Sequence, residues 1–153
     1  MKILVTGGAG FIGSHVAEKS AEDGHDVIVF DNLSRATLLK KSDIDHTYNW
    51  KYLARSANVQ RIQGDVRNQE ELAKVVSQVE VVFHAAAQTA VTTSITNPAE
   101  DFTTNVIGVF NVLETARRSS KQPALIFCST NKVYGNNVNT IAIKEKKRRC
   151  GIG

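Results

Sequence analysis

Only two cysteines, Cys128 and Cys150, occur in the 153 residues. They are too few for a disulfide framework and lack the spacing of a metal site. No apolar run approaches the ~20 residues of a membrane span, and the first residues read as a strand rather than a signal peptide. The expectation is a cytoplasmic protein with no metal and no membrane partner. Internal repeats and domain linkers are missing too, and this length suits one domain with a real core. Net charge is scarce outside one place. Lys144, Lys146, Lys147, Arg148 and Arg149, set against Glu145, carry the whole formal +4. A nucleic-acid binder spreads its basic residues over a folded face. Residues 138–153 therefore read as a flexible, solvated basic tail, and no nucleic-acid partner is expected.

What is present is concentrated between Lys2 and Asp31. Lys2-Ile3-Leu4-Val5-Thr6 is an apolar run of the length of a strand buried on both faces. Gly7-Gly8-Ala9-Gly10-Phe11-Ile12-Gly13 follows at once, then a helical stretch from Ser14 to Asp23. A second strand, Asp26 to Phe30, delivers Asp31. Strand, glycine turn, helix, strand and acid form the order that a dinucleotide site needs. Gly8, Gly10 and Gly13 satisfy G-x-G-x-x-G, while Gly7, Gly10 and Gly13 satisfy the G-x-x-G-x-x-G variant. An early glycine permits the turn, Gly10 lets backbone approach a pyrophosphate, and Gly13 lets the helix pack closely. N–H groups at the helix start bind the phosphates. Asp31 lies 18 residues beyond Gly13, where a carboxylate accepts both ribose hydroxyls of the adenosine half and repels a 2′-phosphate. NAD is expected over NADP, a preference that Arg35 weakens a little.

The remaining chain alternates in the same way. Asn32 to Arg35 reads as a turn, and Thr47 to Ser56 as a short helix whose aromatics cap the core edge. Val59 to Gln63 is a third strand; Asn68 caps a helix with Leu72, Val75 and Val76 as its buried stripe. Glu80 to His84 is a fourth strand, followed by the small residues Ala85, Ala86 and Ala87 and a polar loop. Asn97 as N-cap and Pro98 at the first helical position open a helix running to about Ser119, with Phe102, Val106, Val109, Phe110 and Leu113 facing inward. Ala124 to Cys128 is the fifth strand. Such alternation predicts an α/β fold, a Rossmann-type doubly wound parallel sheet in the order 3-2-1-4-5 over residues 1–137 with helices on both faces. Ligands sit beyond the carboxyl ends of such strands, where every distinctive polar cluster of this chain falls.

Those clusters resemble, in order, the extended short-chain dehydrogenases, specifically the NAD-dependent epimerases and dehydratases of nucleotide sugars. The resemblance rests on Thr6 to Gly13, Asp31-Asn32-Leu33-Ser34, Gly64-Asp65-Val66-Arg67, His84-Ala85-Ala86-Ala87, Asn97-Pro98 with Asn105-Val106, and Ser129-Thr130 with Val133-Tyr134-Gly135. Thr93-Ser94-Ile95 and Asn131-Lys132-Val133-Tyr134 look closer to the CDP-paratose (tyvelose) 2-epimerase-like branch than to the UDP-glucose 4-epimerases. The resemblance implies roles. Gly7, Gly10, Phe11, Ile12 and Gly13 would hold the pyrophosphate of NAD, Asp31 and Asn32 the adenosine ribose, and Asp65 and Val66 the adenine. Ala85, Ala86 and Ala87 would line the cofactor, with Asn105 reaching toward them, and Thr130 would bond the reacting oxygen of a nucleotide sugar. Local chemistry alone leaves Asn105 a helix-surface amide and Thr130 a strand-end turn hydroxyl. His84 is given no role.

One departure stands out. The family's acid/base is a tyrosine with a lysine four positions later, which lowers the tyrosine's pKa. Tyr134 belongs to a turn, position 138 is Val138, and no later tyrosine follows. The chain is therefore expected to be a C-terminally truncated form, whether fragment, truncated gene product or relic, that binds NAD without turnover. A non-catalytic NAD-binding or scaffold protein acting with a partner is the alternative. An open sheet edge would favour self-association into dimers or larger species.

Overall fold

The computed structural model describes residues 1–35, 45, 47–130, 140–146 and 149–152. The turn at 131–135, part of the motif run above, lies outside the described residues.

Five parallel strands build the sheet: β1 (Lys2–Thr6), β2 (Asp26–Asp31), β3 (Val59–Gln63), β4 (Val81–His84) and β5 (Ala124–Phe127). Their order is β3-β2-β1-β4-β5, as the alternation predicts. In-register parallel pairing sets Thr6 beside both Phe30 and His84, so the strands end level and their following loops share one rim. The central strands are apolar on both faces because helices cover both. On one side Leu4, Ile28, Phe30 and Val82 pack with Leu72, Val75, Val76 and Val112. On the other, Ile3, Val5, Val27 and Val29 pack with Ala17 and Leu53.

The helices are α1 (Phe11–Glu22), α2 (Tyr48–Leu53), α3 (Gln69–Val76), α4 (Val91–Thr96), α5 (Pro98–Phe102) and α6 (Gly108–Arg118), with a π-helical turn at Thr103–Ile107 between the last two. Asn68 caps α3 by accepting from the N–H groups of Glu70 and Glu71, and Asn97 caps α5 ahead of Pro98. Both are as the sequence predicts.

One expectation needs correction. The helix expected from Pro98 to Ser119 is interrupted, and its apolar stripe does not face the sheet. Phe102, Val106, Phe110 and Leu113 are about half exposed, whereas Gly108, Asn111, Val112, Thr115 and Ala116 are buried. The polar members succeed there because their groups are bonded: Asn111 Nδ2 donates to the carbonyls of Val66 and Arg67, and Thr115 Oγ1 to that of Asn111. A wide turn also shifts the phase of a 3.6-residue repeat.

The basic segment expected to be a flexible tail contains a two-stranded antiparallel ladder, β6 (Ile143–Lys146) with β7 (Arg149–Ile152). Charge alone obscured it. Ile143 and Ile152 end the two strands in register, and backbone pairing does not depend on side-chain charge.

Candidate functional site

The first site element is the turn out of β1. Gly7 takes a φ of +68°, a left-handed conformation that glycine adopts without penalty. A Cβ on it would lie 2.6 Å from the Ala86 nitrogen. The Gly10 N–H donates back to the Gly7 carbonyl at 3.0 Å, closing the turn. Gly10 is then the N-cap of α1, with no side chain capping that end. The helix begins three residues earlier than its sequence pattern suggests, so its unpaired first-turn N–H groups open into the site. A Cβ on Gly13 would sit 2.3 Å from the Gly7 carbonyl oxygen, so close packing of helix on turn requires glycine there.

The second element is the β2 end. Asp31 Oδ2 accepts from the Ala9 N–H at 3.0 Å and Oδ1 from the Leu33 N–H at 2.8 Å. One carboxylate thus ties the glycine loop to the β2 end. It also holds Leu33 at a φ of 57°, which costs a non-glycine residue about 1–2 kcal/mol. Such stored strain tends to cluster at functional sites. Burial pushes the Asp31 carboxyl above its ordinary value, against the pull of the Leu33 and Ala9 N–H groups.

Between these elements and β4 lies a cleft of about 330 Å³. Gly7, Gly10, Phe11, Ile12 and Gly13 line it from the glycine turn, Asp31 and Asn32 from β2, Val66 from the β3 side, and Ala85, Ala86 and Ala87 from β4. Sequence reasoning missed Phe30, Leu33, Ser34, Gly64, Thr89 and Thr104 as lining residues. Thr104 adjoins Asn105 in sequence and Thr89 closely follows the alanine run. Arg35, noted above for its bearing on cofactor preference, also lines the cleft.

Three candidates sit elsewhere. Asp65 does not line the cleft; its Oδ1 accepts from the Arg67 N–H and Nε, and its Oδ2 from Arg67 Nη2 and Asn32 Nδ2. A carboxylate offers about four acceptor positions, and these bonds use all of them, which argues against Asp65 as the acceptor for an adenine amino group. Burial would raise this carboxyl, but Arg67 and Asn32 hold it down at about 2. Arg67 also pairs with Glu100 Oε2 at 2.9 Å, joining the β3 end to α5. Asn105 stops short of the cleft, and its amide bonds the Gln88 backbone. Thr130 is exposed beyond β5 and is not among the lining residues.

His84 is buried at the β4 end. Its Nδ1 lies 2.6 Å from Thr6 Oγ1 in a hydrogen bond, its ring stacks on Phe127, and its Nε2 has no partner among the described residues. Burial lowers its pKa from 6.5 to about 4. The unfolded chain therefore binds a proton that the folded chain refuses. The His84 contribution to stability should fall as pH drops from about 6.5 to about 4, by about 3 kcal/mol in all, and level off below that. Denaturant midpoints from pH 7 to 4 for the wild type and His84→Gln test this. Equal slopes would show that His84 is not the titrating group.

A family model described as "NAD dependent epimerase/dehydratase family" matches residues 3–149. CDP-paratose 2-epimerase of Salmonella typhi is 41% identical over 138 residues, 89% of this chain and 38% of that protein. A UDP-glucose 4-epimerase of Thermotoga maritima, solved with UDP-glucose, is 39% identical with a TM-score of 0.69, covering 90% of this chain and 40% of its own. A point mutant of the UDP-glucuronic acid 4-epimerase of Bacillus cereus, solved with UDP-4-deoxy-4-fluoro-glucuronic acid and NAD, is 33% identical with a TM-score of 0.74 over 88% of this chain and 42% of its own. The chain thus spans about two-fifths of the length of these relatives.

Proposed function

Because the chain belongs to the NAD dependent epimerase/dehydratase family, we propose that it is the NAD-binding part of an enzyme that transiently oxidises a hydroxyl of a nucleotide-linked sugar. One observation carries this reading: a glycine turn, an open helix N-terminus and a half-buried carboxylate converge on a single cleft. The residues fit the dinucleotide. Gly10 is the one cleft glycine of the turn whose Cβ would meet no atom nearer than the Gly7 oxygen at 3.1 Å, so its missing side chain leaves room for ligand rather than for protein. Bound there, NAD supplies the hydride acceptor.

The chain's own residues bind and orient. The first-turn N–H groups of α1 take the pyrophosphate, Asp31 the adenosine ribose hydroxyls with Asn32 beside it, and Val66 flanks the adenine. Asp65 supports that end through Asn32 and Arg67. Ala85, Ala86 and Ala87 are small so that the dinucleotide passes over them, and Thr130 meets the sugar's reacting oxygen. Asp31 makes NAD bind more tightly than NADP. Titration calorimetry with both cofactors is the test; equal affinities, or a preference for NADP, would remove that role. Asp31→Ala should weaken NAD binding by roughly 1–3 kcal/mol, the cost of losing hydrogen bonds to a charged partner.

A second copy of the chain is the partner we propose besides a nucleotide sugar. β5 forms one edge of the sheet, Ile126 and Phe127 on it are half exposed, and so is the stripe of Phe102, Val106, Phe110 and Leu113. Edges of that kind template pairing, and apolar patches of that kind seldom stay bare on a monomer. Light scattering across a concentration series should give a mass above that of one chain. A monomer at every concentration would remove the proposal.

A further inference from the structure

We propose that Asp101 is a positioning residue for the β4-side wall of the cleft, acting through Asn105. The inference rests on the dinucleotide reading above. The wall is a loop, Ala85 to Gln88, with no regular secondary structure of its own. Ala86 packs against Gly7 so tightly that no Cβ fits between them, so the loop's position sets the width of the cleft. Its far end is fixed by one side chain. Asn105 Oδ1 accepts from the Gln88 N–H at 2.8 Å, and Asn105 Nδ2 donates to the Gln88 carbonyl at 2.9 Å. This amide replaces the ladder partner that the loop lacks.

Such a clamp works in only one amide orientation. Turned over, the amide would set oxygen against the Gln88 carbonyl and nitrogen against its N–H. Asp101 biases that choice. Its Oδ1 accepts from Asn105 Nδ2 at 3.1 Å and from Ser94 Oγ at 2.8 Å. Gln88 Nε2 reaches back to Ser94 Oγ at 3.3 Å and to the Ala90 carbonyl at 2.9 Å. One carboxylate oxygen on α5 therefore gathers a hydroxyl from α4 and an amide from the π-helical turn. Among the described residues no ion pair includes Asp101, so its contribution runs through these hydrogen bonds, which are stronger for a charged acceptor.

Strand order says which part of a ligand would respond. Asp31 and Gly64 stand at the β2 and β3 ends, and Ala85 to Ala87 at the β4 end, on opposite sides of the glycine turn. With the adenosine ribose on Asp31, the pyrophosphate crosses β1, and the nicotinamide half lies against the wall that Asp101 sets. Asp101→Ala should then weaken NAD roughly 10-fold, the loss of one hydrogen bond to a charged group, while ADP binding stays within about twofold. Asp101→Asn keeps an acceptor oxygen and should restore most of the NAD affinity.

Calorimetric titration of the 153-residue chain and both variants with NAD and with ADP decides it, alongside the fluorescence of bound NADH, which reports the nicotinamide's surroundings. A selective loss for NAD in Asp101→Ala, with rescue in Asp101→Asn, supports the assignment. Equal losses for both ligands, no loss at all, or an asparagine variant as weak as the alanine one would overturn it. A wild-type chain that binds neither ligand would instead remove the cofactor reading, and this inference with it.

Discussion

Supplied with NAD and a panel of nucleotide-linked sugars, the purified chain will show no detectable epimerase or dehydratase turnover. Hydride can leave a sugar carbon only as its hydroxyl loses a proton, and a positioned base contributes typically ~10²–10⁴-fold to such a step. The tyrosines of this chain are Tyr48, Tyr52 and Tyr134, and the residues four places on are Tyr52, Ser56 and Val138. None is the lysine that would hold a tyrosine ready to ionise. Thr130 can orient a hydroxyl, but an alcohol is far too weak a base at neutral pH. Product detection by chromatography after long incubation is the measurement, and robust conversion of any nucleotide sugar would overturn the assignment. Activity regained when a segment carrying Tyr-x-x-x-Lys is added separately would favour the enzymatic reading over a non-catalytic scaffold.

Gly13→Ala should have a large effect for a single added methyl group. The new carbon would lie 2.3 Å from the Gly7 oxygen, 2.8 Å from the Gly7 carbonyl carbon and 2.9 Å from the Gly8 Cα. All three are backbone atoms, so no side chain can swing aside. Either the turn opens or α1 tilts off it. Overpacking of this kind costs typically ~1–3 kcal/mol, about 2–12 °C in melting temperature at this chain length, and NAD binding should fall below detection. Gly10→Ala is the contrasting case. Its nearest contact is 3.1 Å, its backbone is ordinary, and it lines the cleft. That variant should melt within a degree or two of wild type and still bind NAD poorly. Thermal melts with titrations separate the two, and a Gly13→Ala protein that binds normally would show the packing argument to be wrong.

The sheet and the rim of the cleft were legible because their signals are local. Lys2 to Thr6 and Asp26 to Phe30 read as buried strands, and the glycine spacing with Asp31 placed the turn and the acid, although α1 starts at Phe11 rather than Ser14. Asn68 and Asn97-Pro98 marked helix starts in the same way. What failed depended on partners remote in sequence. The stripe of Phe102, Val106, Phe110 and Leu113 is a real helical periodicity, but periodicity does not say what the stripe faces. The buried face includes Gly108, Asn111 and Thr115, residues that read as solvent-facing until Gly108 is seen to pack on Val66, Asn111 to donate to the Val66 and Arg67 carbonyls, and Thr115 to donate to the Asn111 carbonyl. The roles of Asp65 and Asn105 came from the resemblance, and only the fold shows that Arg67 and the Gln88 backbone bond their side chains. Thr130 was chosen by resemblance and lies outside the cleft lining.

Asp31 also bears on kinetics. Its oxygens hold the Ala9 and Leu33 N–H groups, so the chain's own backbone gives the glycine loop its shape. A ligand arriving here has no loop to fold. It has only to share lone pairs that the backbone is using. Association should therefore follow a single exponential whose rate rises linearly with cofactor concentration, with no plateau from a preceding ordering step. Differences in affinity among cofactor analogues would then arise in how long each stays rather than in how fast each arrives.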